Sequence, residues 1–455
     1  MAACASVKRT GDRHFFLSAS WPTVAANHTL GGTMIALRAA ILCVVSLAAF
    51  GAAAADLPRA EPAAVGLSAE GLGRLEAVLR ADIANRVIPG AVLLVARHGK
   101  VAYFEALGER DPQAKTPMTH DAIFRIYSMS KPIATVTAMM LWEDGRFTLD
   151  DPIAKFLPMF ANPQVGVETP GAAGAPPTLA LVPAKKPITV QDLMRHSSGL
   201  TYGFFGDLLV KKAYLAADLN ADDPTLAEFV ARLAKLPLAF QPGTTWDYSQ
   251  STDVLGHLVE VLAGTALSDV ERTRLLVPLG MTDTAFAVTD PAKQGRIAEP
   301  FETDRTIGAG AVVGDPRKPR RMESGGGGMV GTAMDYARFA QMLLNGGTLD
   351  GRRYLGARTV AYMTSDHLGS TVVPGPYYLP GPGYGFGLGF AVRRDAGGPA
   401  TPGSVGDYNW GGAGGTYFWV DPKADMLVVF MMQSPKNRVH YRNLVRDLVY
   451  AAVLE

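Results

Sequence analysis

The stretch Tyr127-Ser128-Met129-Ser130-Lys131-Pro132 sets a hydroxyl and an amine three residues apart, just ahead of an apolar run. Pro132 fits the first turn of a helix, where backbone N–H groups have no partner. If that helix continues through Ile133, Val136, Met139 and Met140, its N-terminus lies near Ser128, at the positive end of the helix dipole. Residues three apart share a helix face, so Lys131 stands beside Ser128. Serine is a weak nucleophile until a base takes its proton, and lysine is no base at its ordinary pKa of about 10.4. Burial and a nearby positive dipole both disfavour the ammonium form, so the expectation is a Lys131 pKa lowered toward neutrality. Ser128 is the only serine in the chain with a lysine three residues on. The same residues also fit a plain N-cap serine followed by a surface lysine.

Two further stretches bear on the choice. In Pro242–Gln250, P-G-T-T-W-D-Y-S-Q, a turn leads into a helix and sets Tyr248 at its mouth, where a phenol can relay a proton to a leaving group. In Asn409–Val420, N-W-G-G-A-G-G-T-Y-F-W-V, glycines precede an apolar strand. Glycine there lets a ligand approach the backbone closely, and N–H groups facing it suit an oxyanion. A buried core tyrosine and a glycine-rich turn are the plainer readings of the two stretches.

The chain around these segments reads as globular. It has 455 residues, 48% hydrophobic and 19% charged, with a formal net charge of +1. No basic patch stands out, so nucleic acid is not an expected partner. From Met34 the order is a short basic start, an apolar core through Cys43 and Phe50, and small residues ending near Ala55. That is the pattern of a secretory signal, with Met34 the expected start, cleavage near Ala55 and a periplasmic or secreted mature protein. The apolar run is short for a membrane span. Both cysteines, Cys4 and Cys43, lie in this leader, so the mature chain offers no disulfide framework and no thiol nucleophile. The eight histidines are scattered without a metal-binding helix pair. No metal and no cofactor are expected.

Periodicity places a first helix from Ser68 to about Arg86, with Ser68 as cap and Leu72, Leu75, Val78 and Leu79 on one face. A hairpin follows over residues 91–108. Helices are expected near 131–144, after a Thr189 cap, at 224–235, 251–263 and 332–345, and from about 436 to 454. Residues 163–187, rich in Pro, Gly and Ala, read as a long loop or insertion. Apolar strands are expected at 416–420 and 426–432. Strands at both ends with helices between suggest one sheet built from both termini and a helical insertion.

S-M-S-K, Y-S-Q and W-G-G, in this order and spacing, resemble the serine β-lactamase and penicillin-binding-protein superfamily. The likeness is greatest to class C β-lactamases and the related family VIII carboxylesterases. The segments Pro187–Leu200, Pro278–Phe286 and Gly325–Phe339 carry it further, and it covers roughly residues 60 to 450. The resemblance implies an α/β (α+β) fold: a mixed, mainly antiparallel sheet flanked by helices, with an inserted, mostly helical domain. Residues 56–127 and 248–455 would form the sheet domain and 128–247 the helical one, after the leader of residues 1–55. It implies Ser128 as nucleophile, Lys131 as base or proton partner, and Tyr248 in the proton relay. It also implies an oxyanion hole from the N–H groups of Ser128 and Ala413, with substrate meeting Trp410, Gly411, Gly412 and Gln250. Whether Lys131 or Tyr248 is the acylation base stays open, since the two titrate together.

Two departures matter. Gln250 stands where lactamases of this type have Asn, and Trp410-Gly411-Gly412 where they have K-T-G. The lysine of K-T-G places a cation near a substrate carboxylate, whereas tryptophan offers an apolar wall. This favours a serine carboxylesterase acting on small neutral esters, with weak or no β-lactamase activity. The alternatives are a β-lactamase or D-Ala-D-Ala peptidase, or a non-catalytic penicillin-recognising protein on the same fold. An α/β-hydrolase reading fails because no serine sits in G-x-S-x-G.

Overall fold

The computed structural model describes residues 56–454, apart from 173 and 308–310. The expected secretory signal therefore lies outside the described residues. Among them, no helix is long and apolar enough to cross a membrane.

The sheet does join both ends of the chain. Its strands are β1 (Gly90–Arg97), β2 (Lys100–Asp111), β3 (Thr116–Pro117), β4 (Tyr384–Phe386), β5 (Ala391–Arg393), β6 (Tyr408–Gly411), β7 (Tyr417–Asp421) and β8 (Met426–Met432). Their order is β4-β5-β6-β7-β8-β1-β2-β3. Every pairing is antiparallel; a parallel two-residue pair, Val373–Pro374 with Thr245–Trp246, lies outside it. Leu93 opposite Phe430 and Val95 opposite Val428 close the seam between the termini.

Strand β8 shows why these runs are apolar without a break. Met426, Val428, Phe430 and Met432 face one core, while Leu427, Val429 and Met431 face another. Side chains alternate along a strand, so a sheet covered on both faces needs apolar residues at every position. One cover is α1 (Ala69–Ala84), capped by Ser68, whose hydroxyl accepts from the Gly71 N–H at 3.0 Å. Leu72, Leu75 and Leu79 of α1 are buried with Tyr441, Val445 and Val449. Val78, expected on that face, is 36% exposed.

The other face carries the helical layer. It includes α2 (Ser130–Glu143), α3 (Ser251–Ala263) and α4 (Ala333–Leu344). In α2 every residue from Ser130 to Leu141 is buried, which marks a central rather than a surface helix. Capping boxes start the helices Val190–Met194, at Thr189 and Asp192, and Leu226–Leu233, at Thr225 and Glu228. Residues 163–187 are not simply a loop: Gln164–Thr169 pairs with Thr178–Pro183 as an antiparallel hairpin. Most of its side chains are partly or fully exposed, so it carries little hydrophobic alternation.

The C-terminal helix α5 (Arg438–Ala451) is tied to the sheet by a buried charge cluster. Asp407, just before β6, accepts from Arg393 Nε at 2.8 Å and from the Arg446 guanidinium. All three side chains are at most 1% exposed. Removing one partner of such a cluster strands buried charge, at about 3–5 kcal/mol. Asp407→Ala should lower unfolding free energy in urea by about that amount, whereas a loss below about 1 kcal/mol, the range of surface pairs, would show the cluster to be idle.

Candidate active site

Ser128 lies in a 3₁₀ turn, Tyr127–Met129, that runs directly into α2. The helix therefore starts where Pro132 predicts. Tyr127, the residue before, has φ +45°, a left-handed backbone that costs a non-glycine residue roughly 1–2 kcal/mol. The turn is clamped. The Ser130 hydroxyl donates to the Tyr127 carbonyl at 2.7 Å and accepts from the Met329 N–H at 3.1 Å. The Tyr336 hydroxyl donates to the Met129 carbonyl at 2.9 Å. Ser130 is thus committed to structure, while Ser128 is partly exposed.

Lys131 is 1% exposed. Its ammonium donates to Ser128 Oγ at 3.4 Å, Tyr202 Oη at 3.2 Å and the Gly326 carbonyl at 2.6 Å. It also lies 4.6 Å from the centre of the Tyr248 ring. The expected lowering of its pKa is not what these surroundings produce. Burial pulls the ammonium down, but Tyr202, Tyr248 and Asp253 outweigh it and hold Lys131 above the ordinary lysine range. These surroundings favour the charged form of Lys131. Asp253 acts from behind, accepting from the Gly326 N–H at 3.1 Å and the Ser324 hydroxyl at 2.5 Å.

Tyr248 stands in the turn before α3, and its oxygen accepts from Trp410 Nε1 at 3.3 Å. Trp410 is therefore more than a wall, since it holds the phenol by a hydrogen bond. Gln250 is the N-cap residue of α3, and its side-chain oxygen is buried with no partner among the described residues. Ala413 sits in the turn from β6 to β7, closed by Gly412 N–H to the Thr416 carbonyl at 2.8 Å. A Cβ on Gly412 would overlap the Ile126 carbonyl oxygen, and one on Gly414 would fall 2.8 Å from the Tyr127 ring. The W-G-G turn and the Ser128 turn are thus packed together. The glycines serve this packing: the space beside Gly411 is filled by the Arg442 guanidinium, 2.5 Å from where a Cβ would stand.

Three site residues escape the sequence reading: Tyr202, Asp253 and Arg442. Only Tyr202 has a local signal, an aromatic residue soon after the capped segment ending at Leu200. His196, in contrast, is enclosed in the core beside Tyr248. It is 2% exposed, contacts Ser249 Oγ at 3.1 Å and packs 4.9 Å from the Tyr248 ring.

The beta-lactamase family profile matches residues 75–451. Esterase EstB of Burkholderia gladioli is 31% identical over 412 residues, covering 86% of this chain and 98% of that protein. Among solved structures, EstCE1, described as a hydrolase with promiscuous acyltransferase activity, superposes with TM-score 0.69 at 30% identity, covering 84% and 98% of the two chains. Simvastatin synthase (LovD) from Aspergillus terreus gives TM-score 0.68 at 25% identity, covering 84% and 99%.

Burial, and then the Lys131 charge, push the His196 pKa well below the ordinary histidine value of 6.5. The unfolded chain takes up a proton near that pH and the folded site refuses it, so stability should fall as pH drops through about 6.5. In NMR spectra His196 should stay neutral from about pH 5 to 8, whereas a protonation step in that window would contradict this environment.

Proposed function

This chain belongs to the beta-lactamase family and shares the hydrolase fold of its esterase members, and we propose that it is a serine carboxylesterase that cleaves small neutral esters through an acyl-enzyme on Ser128. The observation that carries this reading is the buried Lys131 ammonium, 3.4 Å from the partly exposed Ser128 hydroxyl and flanked by Tyr248. Ser128 Oγ attacks the ester carbonyl while its proton moves to the Tyr248 oxygen, which must be unprotonated to act as base beside the Lys131 ammonium, so that the two residues handle the proton as one unit. The Lys131 charge steadies the developing negative charge on Oγ. The N–H groups of Ser128 and Ala413 receive the oxyanion. Tyr248 returns the proton to the leaving alcohol, and water then releases the acid by the reverse route.

Trp410 supports neutral esters over lactams. A carboxylate entering a partly buried cleft loses water and needs a cation or several donors in return. Trp410 has one indole N–H, already directed at Tyr248. Arg320 and Arg321, cations near the Gly-rich loop Gly325–Gly328, engage Asp223 and Glu228 at the surface. Alkyl groups of a neutral ester gain from apolar contact at ~25 cal/mol per Å². The buried, unpartnered Gln250 oxygen suits a substrate hydroxyl or amide donor.

The proton-handling unit has a kinetic signature. Lys131→Ala and Tyr248→Phe should each cost on the order of 10²-fold or more in kcat/KM, and the double variant should be little worse than the poorer single. Fully multiplicative losses in a folded double variant would mean independent roles.

A panel of p-nitrophenyl esters, nitrocefin and a D-Ala-D-Ala peptide tests the substrate class. The neutral ester should exceed nitrocefin in kcat/KM by orders of magnitude. Trp410→Lys should narrow the gap, mainly by losing ester activity. Trp410→Phe keeps the ring but not the bond to Tyr248, and should lower kcat while keeping the preference. Equal turnover of carboxylated lactams and neutral esters by the unmodified protein would overturn the charge argument.

A further inference from the structure

Arg442 is a partly buried cation with an unusual set of partners. It rises from α5 beneath the β6–β7 turn. One guanidinium nitrogen donates to the Gly412 carbonyl and, at 3.4 Å, to the Thr416 carbonyl. The guanidinium carbon lies 5.7 Å from the centre of the Tyr417 ring. Among the described residues no carboxylate pairs with it, and its Nε–H is buried without a partner. Burial lowers its pKa to about 10. A partly buried cation with no carboxylate partner and an unmet Nε–H costs stability. The chain also accommodates it by sequence, since any side chain at 411 would collide with the guanidinium at 2.5 to 2.7 Å.

The carbonyl that Arg442 holds belongs to the same peptide group as the Ala413 N–H. A trans peptide is planar, so its C=O and N–H point to opposite sides. With the oxygen tethered toward α5, the N–H is turned away from α5. Ile126, two residues before Ser128, packs against the same glycine, whose carbonyl also accepts from the Gly415 N–H at 3.2 Å. Hydrogen bonds in a chain polarise one another, and a cation on the carbonyl makes the N–H at the other end a stronger donor.

We propose that Arg442 is the positioning residue of the oxyanion hole: its guanidinium fixes and polarises the Gly412–Ala413 peptide, so that the Ala413 N–H is aimed at the oxygen that becomes negative. This rests on the ester-hydrolase reading above, with Ala413 as an oxyanion donor. Arg442 itself touches no reacting atom. Its effect belongs to the transition state and the tetrahedral adduct, not to substrate binding.

The test compares Arg442→Met, Arg442→Lys and the unmodified protein on a p-nitrophenyl ester, together with affinity for a phenylboronic acid, which forms a tetrahedral adduct on the serine. Loss of a whole oxyanion donor costs about 10²–10³-fold in kcat, so loss of its aim should cost on the order of 10- to 100-fold. In Arg442→Met, kcat should fall by that factor with KM within about twofold, and boronate affinity should fall in parallel. Arg442→Lys should recover much of the loss. If Arg442→Met does not fold, Gly411→Ala supplies the same test, because its methyl displaces the guanidinium and should reproduce the kcat loss. A rise in KM at unchanged kcat, or a kcat loss without loss of boronate affinity, would overturn the proposal. The parent reading fails separately: an active Ser128→Ala variant removes the acyl-enzyme, whereas an inactive one beside a fully active Arg442→Met removes only the role of Arg442.

Discussion

A single buried ammonium organises this molecule. Lys131 sits inside the central helix α2, where a charge cannot remain without partners. Its three hydrogen-bond acceptors come from three places in the chain: Ser128 on its own turn, Tyr202 after the Val190–Met194 helix, and Gly326 on the Gly-rich loop. Satisfying one charge therefore fixes three segments around one point. Asp253 on α3 completes the arrangement by holding Gly326 from its other side. The same contacts that make Lys131 tolerable in the core bring it beside the Ser128 hydroxyl.

The other side of the site comes from the sheet. The β6–β7 turn brings Trp410 onto the Tyr248 oxygen and packs Gly412 on the Ile126 carbonyl, two residues before Ser128. Asp407 anchors the start of β6 to Arg446 of α5, and Arg442, one helical turn earlier, reaches the Gly412 carbonyl. The β6–β7 turn, the C-terminal helix and the Ser128 turn are thus one connected support. The strained Tyr127 backbone persists because that support over-determines it.

Local spacing is what makes parts of this legible in the sequence. Ser128 and Lys131 are three residues apart in one helical turn, and Tyr248 and Trp410 stand beside a turn into α3 and a glycine pair in β6. The terminal strands are legible because unbroken apolar runs mark a sheet covered on both faces. Tyr202, Asp253 and Arg442 are not, because each meets its partner across a long stretch of chain with no pattern in between. The Lys131 pKa runs against the sequence expectation for the same reason. Burial and dipole are local and point downward, whereas the two tyrosines and Asp253 that reverse the shift are distant in sequence. The hairpin at 164–183 is hidden by composition, since most of its side chains lie at the surface and its backbone bonds leave no hydrophobic period.

The central claim is a covalent intermediate on the residue that Lys131 addresses. Mass spectrometry of the protein, quenched in acid during turnover of a neutral p-nitrophenyl ester and then digested, tests it most directly. The account predicts one acyl group, carried by the peptide containing Tyr127–Lys131 and localised to Ser128. An acyl group on Ser130, Ser197 or any other residue, or undiminished ester turnover by Ser128→Ala, would contradict it.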